Sequence, residues 1–165
     1  MLKILKKIAL AIGALALIVA TVFAIEFFGG QPMGLFSGSR PDGLGFNNGQ
    51  FKPPSWKPNT VSSTAAKDDS HYIAPLTLVG SSDAAWKKLE ALVRNTNGVT
   101  VKTADQNYIY AEFKTAGLGF VDDVEFALDA ANNVIHVRSG SRLGVRDFGV
   151  NRKRIESIRA QLNAT

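Results

Sequence analysis

FVDDVEFALDAANNVIHVRSGSRLGVRDFGVNRKR, residues 120–154, decides the fold. Two runs, 120–128 and 133–139, alternate apolar and polar side chains around Asp129, Ala130, Ala131 and Asn132, which predicts a β-hairpin with a four-residue loop. Phe126 then faces Ile135 and Val124 faces Val137 on one side, while Glu125 faces His136 and Asp123 faces Arg138 on the other. A slip of one residue would set Val124 against Arg138 and Phe126 against His136, so segregation of apolar from polar pairs selects the parity of the register. Asp122 falls on the apolar face, near Ser139. A carboxylate there is costly unless paired, and the nearest cations are Arg142, Arg146 and Arg152 in the following turn. The expectation is an internal Asp–Arg network that pins this turn to the sheet. The alternative is an anion or polar-ligand site using the surplus arginines, whose forks suit planar acceptors. The cluster at issue is Asp122, Asp123, Arg138, Ser139, Arg142, Arg146, Asp147, Asn151 and Arg152.

The surplus is local. Residues 138–159 hold seven basic side chains (Arg138, Arg142, Arg146, Arg152, Lys153, Arg154, Arg159) against Asp147 and Glu156, an excess of five. A helix is predicted over 151–162, with Asn151 as N-cap and Val150 with Ile155 as a hydrophobic staple. Arg152, Lys153 and Arg154 would then sit in its first turn, where the helix dipole disfavours cations by some tenths of a kcal/mol each. A local rule broken this way marks a functional or specially paired position.

GFVDDVEF (119–126), RSGSRLGVRDFGVNRKRIESIR (138–159) and PNTVSS (58–63), in combination, resemble the bacterial domain-of-unknown-function family numbered 1499. The resemblance spans roughly residues 40–162 and implies no particular activity. The family pattern usually places a cysteine where this chain has Thr60, and often a second near Pro53 or Pro54. Any thiol or disulfide role of the family is therefore absent here.

Outward from this stretch, the amino terminus reads as a membrane segment. Lys3, Lys6 and Lys7 precede Ile8–Ile25, 18 residues without charge and with Thr21 as the one polar side chain. That length reaches the roughly 17–25 residues of a spanning helix and exceeds a signal-peptide core. A retained anchor (residues 1–28) in the inner membrane is expected, its amino terminus cytoplasmic by the positive-inside rule and the rest extracytoplasmic. The alternative is a soluble periplasmic protein released by signal cleavage at Val22-Phe23-Ala24. A lipid anchor on cysteine is excluded, since the chain has none.

The net charge is +5, but three lysines and Glu26 lie in residues 1–28, leaving +3 for the remainder. Such an excess suits anionic lipid or an envelope protein as partner without demanding either. No nucleic-acid partner is expected outside the cytoplasm. With no cysteines the fold must rest on its core. Residues 29–70 form a Gly/Pro-rich arm whose Phe36, Leu44, Phe46, Phe51 and Trp56 argue for packing against the domain.

Residues 71–165 form the domain proper. A strand over 73–79, starting at Leu76 if Pro75 interrupts it, precedes a helix capped by Ser81 or Ser82 with Ala85, Trp86, Leu89, Leu92 and Val93 as its apolar stripe. Asn97-Gly98 ends that helix. Val99–Thr103 and Tyr108–Lys114 form a second hairpin. The predicted class is α+β, an antiparallel sheet of about five strands with two helices on one face. Tyr108, Tyr110, Glu112, Asp123, Glu125, His136 and Arg138 would populate its polar face.

Catalytic readings are weak. Glu125 and His136 with Ser139 or Ser141 would need strand residues that point to opposite faces, and Asp68, Asp69 and His71 lack metal-site spacing. Gly140, Gly144 and Gly149 lack the lysine of a phosphate loop. No cofactor, metal or catalytic residue is predicted. The expected protein is a non-enzymatic, membrane-anchored envelope protein with an interaction domain. The alternatives are a small-ligand or lipid carrier with a cavity between sheet and helices, and an enzyme acting through Asp122, Asp123, Arg138 and Arg142.

Overall fold

In the computed structural model the described residues are Leu2–Phe28 and Phe36–Ala164, with α1 side chains described for Ile4, Lys6–Val22 and Ala24. Helix α1 (Leu2–Phe28) leaves Ile8, Leu10, Ile12, Leu15 and Leu17 exposed. Among the described residues, no helix is long and apolar enough to cross a membrane. The predicted span runs to Ile25, whereas continuous description of side chains stops at Val22. The side chain of Phe23, within the expected cleavage signal, and arm residues 29–35 likewise lie outside the described set.

The remaining elements are β1 (Thr60–Ser62), β2 (Leu76–Thr77), α2 (Ser82–Arg94), β3 (Val99–Ala104), β4 (Tyr108–Lys114), β5 (Val121–Asp129), β6 (Val134–Ser141) and α3 (Val150–Asn163). They build one antiparallel sheet in the order β1-β6-β5-β4-β3, with β2 also paired to β6. The class is α+β, with six strands where about five were predicted. The additional strand, β1, falls within the Gly/Pro-rich stretch. It pairs Thr60 with Gly140 and Ser62 with Arg138.

The central hairpin keeps the predicted faces but not the predicted partners. Phe126 pairs with Val137, Val124 with Ser139, Glu125 with Arg138 and Asp123 with Gly140, two residues further along β6. The turn explains the shift. Asn133 adopts φ 56°, the Asp129 carboxylate accepts from Asn132 N–H at 3.0 Å and from Asn132 Nδ2 at 2.8 Å, and the loop becomes Ala130–Asn133. Asparagine tolerates the left-handed conformation such a turn requires. A slip of two preserves parity, so every side chain stays on its face.

α2 starts as the sequence predicts, with Ser81 Oγ accepting from Ala84 N–H at 3.3 Å. Its Leu89 and Val93, with Ile155, Ile158 and Leu162 of α3, pack on Ile109, Val124, Phe126, Ile135 and Val137 of the sheet. These side chains fill the layer between sheet and helices, and each contributes roughly 1.5–3 kcal/mol by leaving water. Trp86 belongs to this core and donates its Nε1–H to Asp105 O at 3.2 Å.

The opposite face of the sheet is covered by the arm. Phe46 stacks on His136 (5.3 Å between centroids) and meets Phe51 edge-on (4.8 Å). Gly45 N–H donates to Glu125 Oε1 at 2.7 Å, and Lys52 O accepts from Arg138 Nε at 3.2 Å. The polar side of the sheet is thus largely covered by Arg40, Gly45, Phe46 and Lys52 of the arm, which leave a cleft of about 200 Å³ beside Asp123, Arg138 and Arg142.

Candidate functional site

Because neighbouring residues on a strand alternate faces, Asp122 and Asp123 serve two separate networks, one on each side of β5. Under the arm, Asp123 is 1% exposed and Glu125 fully buried. Arg142 Nε reaches both Asp123 carboxylate oxygens at 3.1 and 3.0 Å, and its Nη2 reaches Glu112 Oε1 at 2.6 Å and Tyr110 Oη at 3.1 Å. Tyr110 in turn donates to Asp123 at 2.6 Å. Glu125 accepts from Arg138 at 3.1 Å, Tyr108 Oη at 2.8 Å and Gly45 N–H. Arg40 and Lys102 add to Glu112 at 3.0 and 3.2 Å, and Arg40 lies 5.1 Å over the Tyr110 ring.

The electrostatics follow from these contacts. Burial works to raise the Glu112 pKa, but hydrogen bonds from Arg142, Arg40 and Lys102 outweigh it and hold the carboxyl at about 2. Burial, and then the neighbouring carboxylates Glu125 and Asp123 respectively, push the Tyr108 and Tyr110 hydroxyls well above the ordinary tyrosine range. The bond to Asp123 raises the Arg142 guanidinium. Ion pairs enclosed in this way are costly to break, because the remaining charge stays buried.

On the helix side, Asp122 pairs with Arg154, not with Arg142, Arg146 or Arg152 as the sequence suggested. Arg154 also donates to Ser139 Oγ at 2.9 Å and Asn151 Oδ1 at 2.6 Å, and lies 4.9 Å over the Phe113 ring. Asn151 is fully buried and donates to Asn59 O at 3.0 Å and Ser141 Oγ at 2.9 Å. It is therefore not the N-cap. Gly149 holds that position without a side-chain bond, and the Asp147 carboxylate accepts from Gly149 N–H at 3.0 Å and Asn151 N–H at 2.9 Å. Burial opposes the effect, but those two amides leave Asp147 below the ordinary carboxylate range. Asp147 thus supplies the negative charge that the first turn lacks.

The surplus cations are mostly engaged. Arg152 donates to Ser70 O and Tyr72 O at 3.0 and 2.8 Å, and Arg159 to Pro75 O and Ala74 O at 2.7 Å each, stapling α3 to the loop before β2. Of the predicted nine, Asp122, Ser139, Asn151 and Asp147 gather at the α3 end, Asp123, Arg138 and Arg142 lie beneath the arm, and Arg152 binds loop carbonyls. The side chains of Arg146 and Lys153 are exposed and have no partner among the described residues. The nine-residue cluster left out Tyr108, Tyr110, Glu112 and Glu125, although their alternation had assigned them to one polar face with Asp123 and Arg138, and it left out Arg154, which the sequence marked only as a cation in the first turn of the last helix. His136 meets Ser63 Oγ at 3.1 Å, and its ring lies on the opposite face from Ser139 and Ser141. His71 Nδ1 is 2.6 Å from Asp69 Oδ1 and its Nε2 3.0 Å from Lys57 O. Among the described residues, no three His, Cys, Asp or Glu side chains group as metal ligands.

The outer surface of the α3 end differs from this enclosed interior. Residues 143–150 expose Leu143, Val145, Val150 and above all Phe148, at 88%. Phe148 has φ 54°, the strained left-handed region for a bulky side chain. The Asp147 bonds to Gly149 and Asn151, with Val150 N–H to Asp147 O at 3.1 Å, hold the turn that presents it. Beside it lies a cleft of about 260 Å³ lined by Phe120, Val121, Asp122, Leu143, Arg146 and Phe148, among others. Backbone strain at an exposed aromatic points to use of that side chain.

No curated protein and no solved structure matches this chain. The family model described as "Protein of unknown function (DUF1499)" matches residues 50–162, from the arm lying over the sheet to the last turns of α3, and the chain belongs to that family.

Proposed function

We propose that this is a single-pass envelope protein: α1 anchors it in the inner membrane, and the extracytoplasmic domain acts by contact and not by catalysis. The observation that carries this reading is the contrast within one domain. The charges of the sheet are closed on one another, whereas the apolar side chains of residues 143–150 face outward on a braced turn. Patches of this kind on a soluble face mark interaction sites. The apolar run Ile8–Ile25 behind three lysines supports the anchor and its orientation.

Fusion of a reporter active only outside the cytoplasm to the carboxyl terminus tests the arrangement, together with alkaline extraction of membranes and intact mass. An active reporter on a full-length, extraction-resistant chain supports the proposal. An inactive reporter overturns the orientation, and a soluble product starting after Ala24 replaces the anchor with a cleaved signal. A carrier reading draws on the cleft beside Phe120 and Phe148, slightly below the several hundred Å³ common for ligand pockets. Native mass spectrometry that retains a reproducible small molecule would favour it.

A further inference from the structure

We infer that residues 143–150 dock on the anionic surface of the membrane that holds the chain, with Phe148 entering the headgroup region and Arg146 and Lys153 meeting lipid phosphates. This rests on the anchor reading above and names the partner of the contact surface.

Three observations converge. The first is which end of the sheet the loop occupies. Asp122 pairs with Ser141, so the chain leaving β6 at Ser141 enters the loop beside the start of β5. Tyr108 pairs with Ala127, so the turn between β3 and β4 lies at the opposite end. The second is where the tether arrives. The arm enters the described fold at Phe36, which stacks on Phe120 at 5.1 Å, and a Cβ on Gly38 would lie 3.0 Å from both Arg142 Cβ and Leu143 Cγ. Seven residues, 29–35, separate α1 from that point, a contour of roughly 25 Å at full extension. The loop therefore sits at the end of the domain that the anchor holds near the bilayer. The third is chemistry. Phe148, Val145, Val150 and Leu143 form an apolar tip, and Arg146 and Lys153 are exposed cations beside it, unpaired among the described residues. The local acid, Asp147, is occupied by two backbone amides. An apolar tip with a cationic collar is what an anionic lipid interface accepts on either side of a membrane: Phe and Leu side chains bury at the headgroup and acyl boundary, and cations beside them are attracted to anionic headgroups.

The test uses the full chain. It has no cysteine, so Val145→Cys carries one polarity-sensitive fluorophore, with Gln106→Cys in the β3–β4 turn as the distant reference. Each is reconstituted into vesicles of phosphatidylcholine alone or with phosphatidylglycerol. Flotation reports the anchor, and the fluorophore reports the loop. The expected result is flotation in both lipids, with a blue shift and loss of iodide quenching at position 145 in anionic vesicles and a wet probe at position 106. Phe148→Ser abolishes the shift, while Arg146→Gln and Lys153→Gln each move the balance about fivefold toward the wet state. A chain that floats with a wet probe at 145 overturns the docking and leaves the anchor intact. A chain that does not float overturns both. Equal shielding in neutral vesicles overturns the anionic assignment, and shielding that rises with protein density in the membrane overturns it in favour of contact between copies.

Discussion

Arg142→Ala tests the claim that the arginine cluster is internal architecture. In the folded protein Arg142 is the cation that reaches both Asp123 oxygens, and its side chain is 7% exposed against 1% for that of Asp123. Truncation leaves Asp123 buried with Tyr110 Oη as its hydrogen-bond donor, whereas Glu112 retains Arg40 and Lys102. Breaking a buried pair from one side costs about 3–5 kcal/mol. For a domain of this size that corresponds to a fall in Tm of roughly 10–20 °C. The assay is thermal unfolding of the full chain in detergent, followed by the fluorescence of buried Trp86. Arg142→Lys should recover part of the loss, because it keeps the charge but not the fork. In an Asp123→Asn background the Arg142→Ala cost should shrink, since the two side chains are directly coupled. A variant that melts with the parent would falsify the internal-network account and return Arg142 to the list of ligand-binding candidates.

Two further outcomes follow from the same geometry. Glu112 has a folded pKa of about 2 against an ordinary 4.5, so it stabilises the fold fully above the ordinary value and progressively less as pH falls from there toward 2. The contribution is on the order of 3 kcal/mol, and Tm measured across that acid window should fall less steeply in Glu112→Gln than in the parent. Gly140→Ala places a Cβ 2.7 Å from Thr60 Oγ1 across the β1–β6 pair. It should cost about 1–3 kcal/mol in urea unfolding, with part restored by Thr60→Ala, whereas an additive double variant would show that the clash is not the cause.

The period-2 pattern of residues 120–139 was enough to assign the hairpin and both its faces, because side-chain alternation is a property of the strand itself. The cap at Ser81 and the apolar stripe of α2 were legible because they too are local patterns, whereas the helix stops at Arg94 with Asn95 as its cap, before the Asn97-Gly98 stop the sequence suggested. Partner identity was not. The register moved by two when Asn133 took the left-handed turn position, a change that left parity, and hence every facial assignment, untouched. β1 could not be read from Thr60-Val61-Ser62, since three residues carry too little pattern and their partner lies near Arg138–Gly140.

The excess of arginine in 138–159 was visible in the chain, and so was the misfit of Asp122 on an apolar face. Which arginine answers which carboxylate was set by how α3 lies over the sheet. That placement gives Asp122 to Arg154 and leaves Arg142 to cross under the arm to Asp123 and Glu112. The sequence by itself therefore determined the period, the faces and the stock of charges, which are local properties. The tertiary structure decided which charges close on one another and which side chains, Phe148 first among them, remain outside, because those depend on contacts between segments far apart in the chain.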